Sequence, residues 1–293
     1  MNKMNVSLTF DTLKRVGVVA MTALMIAGCG QNKTDRQHVS ADSTVSKPEI
    51  VRMDIPFTGT FSQITNVGSV DVEYTTGECR VEAEGPKELL KLVKVSVDSG
   101  SLTITYNYDN NPDINVFKRT GSPVKVYVSA PSLRIVSTCS TGNFYAKGRL
   151  EADEFMAGTL SAGNIVVDTL VCHGPFRYEC KNEGSGTFHC LTTEDRTEFV
   201  NEGTGAILVD SISSATSILV NHNGTGRTSL NGVGDDLEIW GFDKADVAVS
   251  MDVRKLNIQT YGEACVKFEG SCVTKSVKKN DNSQVLLDVK NVE

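Results

Sequence analysis

Three groups of side chains in this 293-residue chain are of a type that does chemistry: Glu151, Asp153 and Glu154; Glu194 and Asp195; Asp235 and Asp236. Paired carboxylates cleave glycosidic bonds, one as acid and the other as base or nucleophile, and clustered ones hold calcium. The groups fall in alternate copies of a short repeat, so about 10 Å separates them along a stack of strands. That is too far to share a calcium ion and near the carboxylate separation of an inverting hydrolase. Solvated turns, where Asp and Glu are common, are the favoured reading. The histidines add no constellation. His38 lies in a polar N-terminal stretch, and His173, His189 and His222 sit at different places in different copies. There is no His-x-His or His-x-x-Glu-His spacing, no Gly-x-Ser-x-Gly elbow, and no phosphate loop leading into a helix. No catalytic residue, metal or cofactor is expected.

Cysteine chemistry points elsewhere. Lys3, Lys14 and Arg15 precede an apolar run, Val16 to Ala27, that is too short to span a membrane and ends in Ile26-Ala27-Gly28-Cys29. This resembles a lipoprotein signal: residues 1–28 are removed and Cys29 takes the lipid, whose acyl chains anchor the protein by hydrophobic burial. Residues 29–48 are polar and lack apolar periodicity, as expected of a flexible tether. Position 30 is Gly rather than Asp, which suggests outer-membrane sorting, facing the periplasm or the exterior. Loss of residues 1–28 removes three positive charges and Asp11, taking the net charge from −7 to −9. So acidic a chain argues against nucleic acid or anionic lipid as a partner.

Seven further cysteines remain, an odd number. Cys180 and Cys190 read as small buried hydrophobes on opposite sheets, too far apart to bridge. Cys265 and Cys272 are placed so that a bridge across a hairpin-like turn is conceivable.

The elements that must position these side chains are strands. From Glu49 to about Ser137 short runs alternate with period two: Val70-Asp-Val-Glu-Tyr-Thr, Leu102-Thr-Ile-Thr-Tyr and Val124-Lys-Val-Tyr-Val. Asp98-Ser-Gly-Ser reads as a hairpin turn, and Pro86-Lys-Glu-Leu-Leu-Lys-Leu-Val as one short helix with Pro at its first turn. Residues 109–120 read as a loop. From Thr141 about seven imperfect copies of about 20 residues follow, each with a Gly corner, a strand, a polar turn and a second strand. Repetition at that period specifies a solenoid.

The first strands give two inward columns: Phe144, Ile165, Phe188, Ile207, Thr228 and Val247, then Ala146, Val167, Cys190, Val209, Leu230 and Val249. The second strands give Tyr178 and Cys180, Thr197 and Phe199, Ser217 and Leu219, Leu237 and Ile239, Leu256 and Ile258. Two facing sheets with a thin apolar interior follow. The corners Asn182-Glu-Gly-Ser-Gly, Asn201-Glu-Gly-Thr-Gly and Asn221-His-Asn-Gly-Thr-Gly place Asn182, Asn201 and Asn221 in one stacked amide ladder. Lys275, Lys278 and Lys279 read as a charged cap on the last rung.

Between the inward columns lie Tyr145, Val166, His189, Leu208, Ser229 and Ala248, which should face outward although several are apolar. Either the N-terminal strands or a neighbouring molecule covers them, or they form a binding strip.

Phe61-Ser-Gln-Ile-Thr, Gly68-Ser-Val-Asp-Val-Glu-Tyr, Val81-Glu-Ala-Glu, the Leu89-Leu-Lys-Leu-Val-Lys-Val stretch into Gly100-Ser-Leu-Thr-Ile, and Val126-Tyr-Val-Ser-Ala-Pro-Ser-Leu before the Gly-rich repeats together resemble the auto-transporter adhesin head GIN domain family of exported Gram-negative lipoproteins. The resemblance runs over roughly residues 55–270. It implies a β-helix-like domain and adhesion, and carries no catalytic residues.

The chain is thus expected to be all-β: an N-terminal β-rich region with one short helix (49–140), then a right-handed parallel β-helix-like solenoid with a C-terminal cap (141–293). The expected function is a lipid-anchored, non-catalytic binding or adhesion module of the cell envelope. Its expected partners are the membrane, through the lipid, and a glycan or protein ligand; oligomerisation is left open. A carbohydrate-active enzyme using the acidic turns and a structural envelope protein are the alternatives.

Overall fold

The computed structural model describes residues 49–106 and 124–290. The expected signal peptide, Cys29, the 29–48 tether and the 109–120 loop lie outside the described residues.

The repeats fold as the parallel β-solenoid their spacing specifies, about seven turns with rungs of about 21 residues. One set of strands comprises β8 (Ile135–Thr138), β10 (Phe155–Thr159), β12 (Phe176–Cys180), β14 (Thr197–Asn201) and β16 (Ser217–His222), each parallel to the next. The strands between them are β9 (Phe144–Ala152), β11 (Ile165–Cys172), β13 (Gly186–Thr193) and β15 (Ala206–Ser214), again parallel in succession. Three 15-residue strands, β17 (Arg227–Gly241), β18 (Asp246–Thr260) and β19 (Cys265–Lys279), then run unbroken through both positions, and β20 (Gln284–Lys290) closes the series.

The rungs have three short faces, not the two facing sheets expected. Strands β9, β11, β13 and β15 each break the in–out alternation with adjacent outward residues, such as His189 and Cys190 or Asp210 and Ser211, and turn a corner there. Face one holds β8 to β16 and the last thirds of β17 to β19. Face two holds the starts of β9 to β15, and face three their ends. Leu150, Leu170, Leu191 and Ile212 form the inward column of face three. The repeat length also changes. Phe144, Ile165, Gly186 and Ile207 pair in series at the longer interval, whereas Arg227, Asp246, Cys265 and Gln284 pair at one shorter by two. One residue is lost at each of two corners: Val209 to Ile212 is matched by Leu230 to Gly232, and Ser213 to Ile218 by Val233 to Leu237.

This interval moves several expected columns. Gly186, not Phe188, stacks between Ile165 and Ile207; Phe188 joins Val167 and Val209 in the second column, and Cys190 is exposed at the corner. On face one Phe176 pairs with Thr197, and Tyr178 with Phe199, so Cys180 belongs at the next corner beside Asn201. Ile218 and Val220 face inward instead of Ser217 and Leu219. Gly186 has a packing reason. A Cβ there would lie 2.2 Å from the ring of Tyr178, which is itself fully buried and within hydrogen-bond distance of Thr159 Oγ1, 3.2 Å away. Phe155, Phe176, Phe188, Phe199 and Tyr178 interlock in this stretch of the core, with edge-on rings 5.3 Å apart at Phe176–Phe188 and Tyr178–Phe188.

The N-terminal strands belong to the same stack. Here β2 (Gln63–Asn66) and β3 (Asp71–Thr76) form a rung lying between β8–β9 on one side and β6 (Ser101–Tyr106) with β7 (Lys125–Ala130) on the other, all parallel. The boundary expected at 140/141 therefore falls inside one continuous stack, within a unit that runs from Pro48 to Glu293. Antiparallel strands close the N-terminal end: β5 (Val93–Asp98) on β6, β4 (Arg80–Pro86) on β7, and β1 (Ile50–Asp54) on β4. The short helix α1 (Lys87–Leu90) follows Pro86 and buries Leu89 and Leu90 against the core. The Asp98-Ser-Gly-Ser hairpin turns through Ser99 and Gly100, both at positive φ. At the other end Thr274–Lys279 of β19 pair only with β18 among the described residues, and Lys275, exposed, follows Leu256 in its column and puts a charge on an edge strand.

Candidate functional site

Corner chemistry was expected in stacked Asn182, Asn201 and Asn221, and the three do not stack. Asn201 pairs with Cys180 and His222, and Asn221 is one residue short of that position, pointing outward on face one between Val200 and Trp240. Asn182 sits two residues beyond Cys180 in a left-handed turn (φ 59°), donating to the Leu160 carbonyl at 2.7 Å. The near-identical corner motifs recur at intervals shorter than the rung, so matching them by sequence slips the register by two and then by one.

Two other ladders occupy the corners. One is entirely buried: Asn66, Thr138, Thr159, Cys180, Asn201, His222 and Thr260 share one inward column, broken by Gly241. Three of them donate to the carbonyl four residues on, Asn66 to Val70 (2.8 Å), Cys180 to Gly184 (2.8 Å) and Asn201 to Gly205 (3.1 Å), which satisfies the bend. The other begins at Asp71, whose Oδ1 accepts from Asn143; Asn143 Oδ1 accepts from Asn164 at 2.9 Å, and Asn164 Oδ1 from the Ser185 amide at 3.1 Å. The equal spacing of Asn143, Asn164 and Ser185, one full rung each time, was the signal in the sequence for this true amide ladder.

The carboxylate turns are brought together in a different way from that expected. His173 lies between Glu151 (3.4 Å) and Glu194 (3.1 Å), and hydrogen bonding to Glu194 and then Glu151 raises its imidazole above the ordinary value. Asp235 and Asp236 close on Arg254 at 2.5 and 2.8 Å, and the Arg254 hydrogen bond holds the Asp235 carboxyl below its usual range. Glu154 pairs with Arg134, while Asp153 and Asp195 lie exposed. A carboxylate held ionised by a guanidinium is a poor general acid. Among the described residues no three His, Cys, Asp or Glu side chains are grouped to hold a metal ion.

Among the described residues seven cysteines are free. Cys265 and Cys272 lie seven residues apart on one strand, on either side of the corner at Gly270, and are not bridged.

The outward strip is formed on face two. Tyr145, Val166 and Leu208 stand in register, each half-buried, with Thr187 where His189 was expected; Ser229 and Ala248 continue the row. His189 lies around the corner, its Nδ1 2.6 Å from Asp210. The N-terminal strands do not cover the strip, because β4 and β1 extend the face edge-on from β7. At its start Arg52 sits 4.0 Å over the Tyr127 ring. At its far end, where Ser229, Ala248 and Ser250 are small, the face sinks into a groove of about 620 Å³ edged by Lys267 and Leu286. Six rungs at about 4.8 Å make the strip roughly 25 Å long.

Residues 60–239 match the family described as "Putative auto-transporter adhesin, head GIN domain". No curated protein matches the chain. Similar solved structures include a putative adhesin from Parabacteroides distasonis ATCC 8503 (TM-score 0.66, 12% identity, covering 82% of this chain and 98% of that one). A putative adhesin from Bacteroides fragilis NCTC 9343 is 17% identical at a TM-score of 0.58, over 84% and 98% of the two chains. A protein described as a putative lipid binding protein, also from Parabacteroides distasonis ATCC 8503, is 14% identical at 0.59, over 85% and 98%. These likenesses are of fold. The match over residues 60–239 goes further, and the chain belongs to the head GIN domain family.

Proposed function

We propose that the chain is a lipid-anchored protein of the outer membrane that binds by contact and without turnover, in the manner of an adhesion module, and that the face-two strip is its contact surface. The observation that carries this is the outward row Tyr145, Val166, Thr187 and Leu208, over which no described strand packs, leading into the groove beside Ser229 and Ala248. A flat face that repeats every rung offers many equivalent shallow contacts, which suits an extended ligand such as a glycan or a protein surface. The lipobox ending in Cys29 supports the anchor, and the ion pairs that tie up the acidic turns support binding over hydrolysis.

Two experiments test it. Cells expressing the chain are labelled with radioactive palmitate and fractionated; label in the outer membrane that disappears with Cys29→Ser is expected, and a soluble, unlabelled parent chain sinks the anchor. Attachment of the same cells to glycan and host-matrix surfaces is then compared with a Val166→Lys, Leu208→Lys variant. Loss of attachment in the folded variant is expected, and attachment equal to the parent removes the strip from the reading.

A further inference from the structure

Face one carries an aromatic ridge that neither the fold nor the strip uses. Trp240, the single tryptophan of the chain, points outward and is 36% exposed. Its ring lies 6.3 Å from Phe242, and Phe242 stacks on Tyr261 of the next rung at 5.1 Å with only 6° between the planes. Phe242 and Tyr261 are also part-exposed. The Phe242–Tyr261 stack contributes to the fold, but the exposed part of the three rings does not, and a contiguous aromatic row at the surface is a feature of contact surfaces.

The polar groups beside the ridge are fixed. Trp240 Nε1 donates to Glu238 Oε1 at 2.8 Å, and Asn257 Nδ2 donates to the same oxygen at 3.1 Å. Tyr261 donates to Gln259 Oε1 at 3.4 Å. Glu238 pairs with Asn257 and Trp240 with Gln259, so the four form a square on adjacent strands. The bonds made within the square occupy only part of its capacity: a carboxylate accepts at two oxygens, and each amide both donates and accepts. Beyond Glu238 and Asn257 the face opens into a groove of about 370 Å³ that reaches Ser217 and Lys255. From Asp236 to Trp240 the surface runs about 13 Å at 3.3 Å per residue, longer than one sugar ring.

This combination has one natural complement. The C–H bonds on the face of a pyranose are attracted to the negative face of an aromatic ring, while its rim of hydroxyls needs fixed donors and acceptors. The groove sets Asp236 and Glu238 against Arg196 and Lys255, with Asp236 already paired to Arg254, so its charges balance and suit an uncharged sugar. We propose that the Trp240 ridge and the Glu238–Asn257–Gln259 row form a binding site for neutral hexose oligosaccharides. The site rests on the reading of the chain as a binding module, and lies on a different face from the strip.

The full chain with Cys29→Ser, which keeps it free of lipid, is titrated with maltohexaose, cellohexaose, laminarihexaose and mannohexaose while tryptophan emission is followed. Only Trp240 reports. A saturable change with at least one sugar is expected, weakened at least tenfold by Asn257→Ala and abolished, by calorimetry, in Trp240→Ala. Circular dichroism and melting confirm that each variant is folded. No saturable response to any of the four sugars overturns the site, as does full affinity in folded Trp240→Ala. A change of sedimentation in Trp240→Ala in place of a change in sugar binding also overturns it, and makes the ridge a self-contact. If sugar binding fails while the face-two variant still abolishes attachment, the site falls and the adhesive reading stands.

Discussion

His222 should make this solenoid lose stability in mild acid, by an amount the structure sets. Its ring lies in the buried corner column, fully out of water, with Nδ1 3.1 Å from Thr228 Oγ1 and no partner for Nε2 among the described residues. Burial lowers its pKa from 6.5 to about 4. In the unfolded chain the same imidazole protonates near 6.5, so between those values the unfolded state binds the proton and the native state does not. Stability is therefore intact above about pH 6.5, falls as the pH drops, and levels off below about 4. At about 1.4 kcal/mol per pH unit the loss is roughly 3 kcal/mol, a large share of a domain's net stability. Carboxylates titrate over the same range, so the measurement is a difference. Urea unfolding of the parent and of His222→Asn is followed from pH 7.5 to 4, with Asn chosen because Asn201 fills the neighbouring rung. Whatever the variant costs at neutral pH, the parent should lose about 3 kcal/mol more than the variant on acidification. Profiles that run parallel across the whole range would refute the assignment of a buried neutral imidazole.

Other consequences are equally open to measurement. Gly205→Ala would put a Cβ 1.8 Å from the Gly184 carbonyl of the preceding rung and should cost at least about 3 kcal/mol in urea unfolding, whereas Gly148→Ala, at φ 73° with open space around it, should cost about 1. With Ellman's reagent on the native Cys29→Ser chain, exposed Cys190 should react first; buried Cys180 and Cys172, the latter with its thiol pushed up to about 11 by burial, should react only on unfolding. Replacing Lys275 and Lys278 by Ile and Thr should produce concentration-dependent self-association by sedimentation, since the edge segment of β19 keeps only Lys279 of its three lysines; an unchanged profile would remove them as edge guards.

The architecture was legible because apolar residues at alternate positions, recurring in copy after copy of a short repeat, admit few other arrangements. The finer register was not, and the reason is particular. Asn182-Glu-Gly-Ser-Gly and Asn201-Glu-Gly-Thr-Gly look like one motif, yet Gly184 stacks under Gly205. A slip of two keeps Phe188 inward, so the apolar pattern gave no warning of it, and Cys190 left the core only because the strand bends just before it. The slip of one at Asn221 did exchange faces, and put Leu219 in the core in place of Ile218. Corners were harder still. Whether two adjacent polar residues mark a bend or a loop depends on the rungs above and below, which is why His173 between two glutamates and the third face emerged only from the fold. The outward row Tyr145, Val166 and Leu208 does stand in register, with Thr187 where His189 was placed.

The rung made by β2 and β3 lies between two rungs that follow it in the chain. A solenoid whose spatial order matched its sequence could assemble like a coil laid turn on turn. This one cannot begin that way: the first rung to emerge waits with both edges bare until Ser101–Tyr106 and then Ile135–Thr138 arrive, one on each side. The N-terminal end is in effect a clasp. The outermost full rung, β6–β7, is held by chain on both sides, so it cannot peel away as a free end would, and unravelling from this side must first open the interleaved segment. Slow closure during folding is exchanged for an end that does not fray.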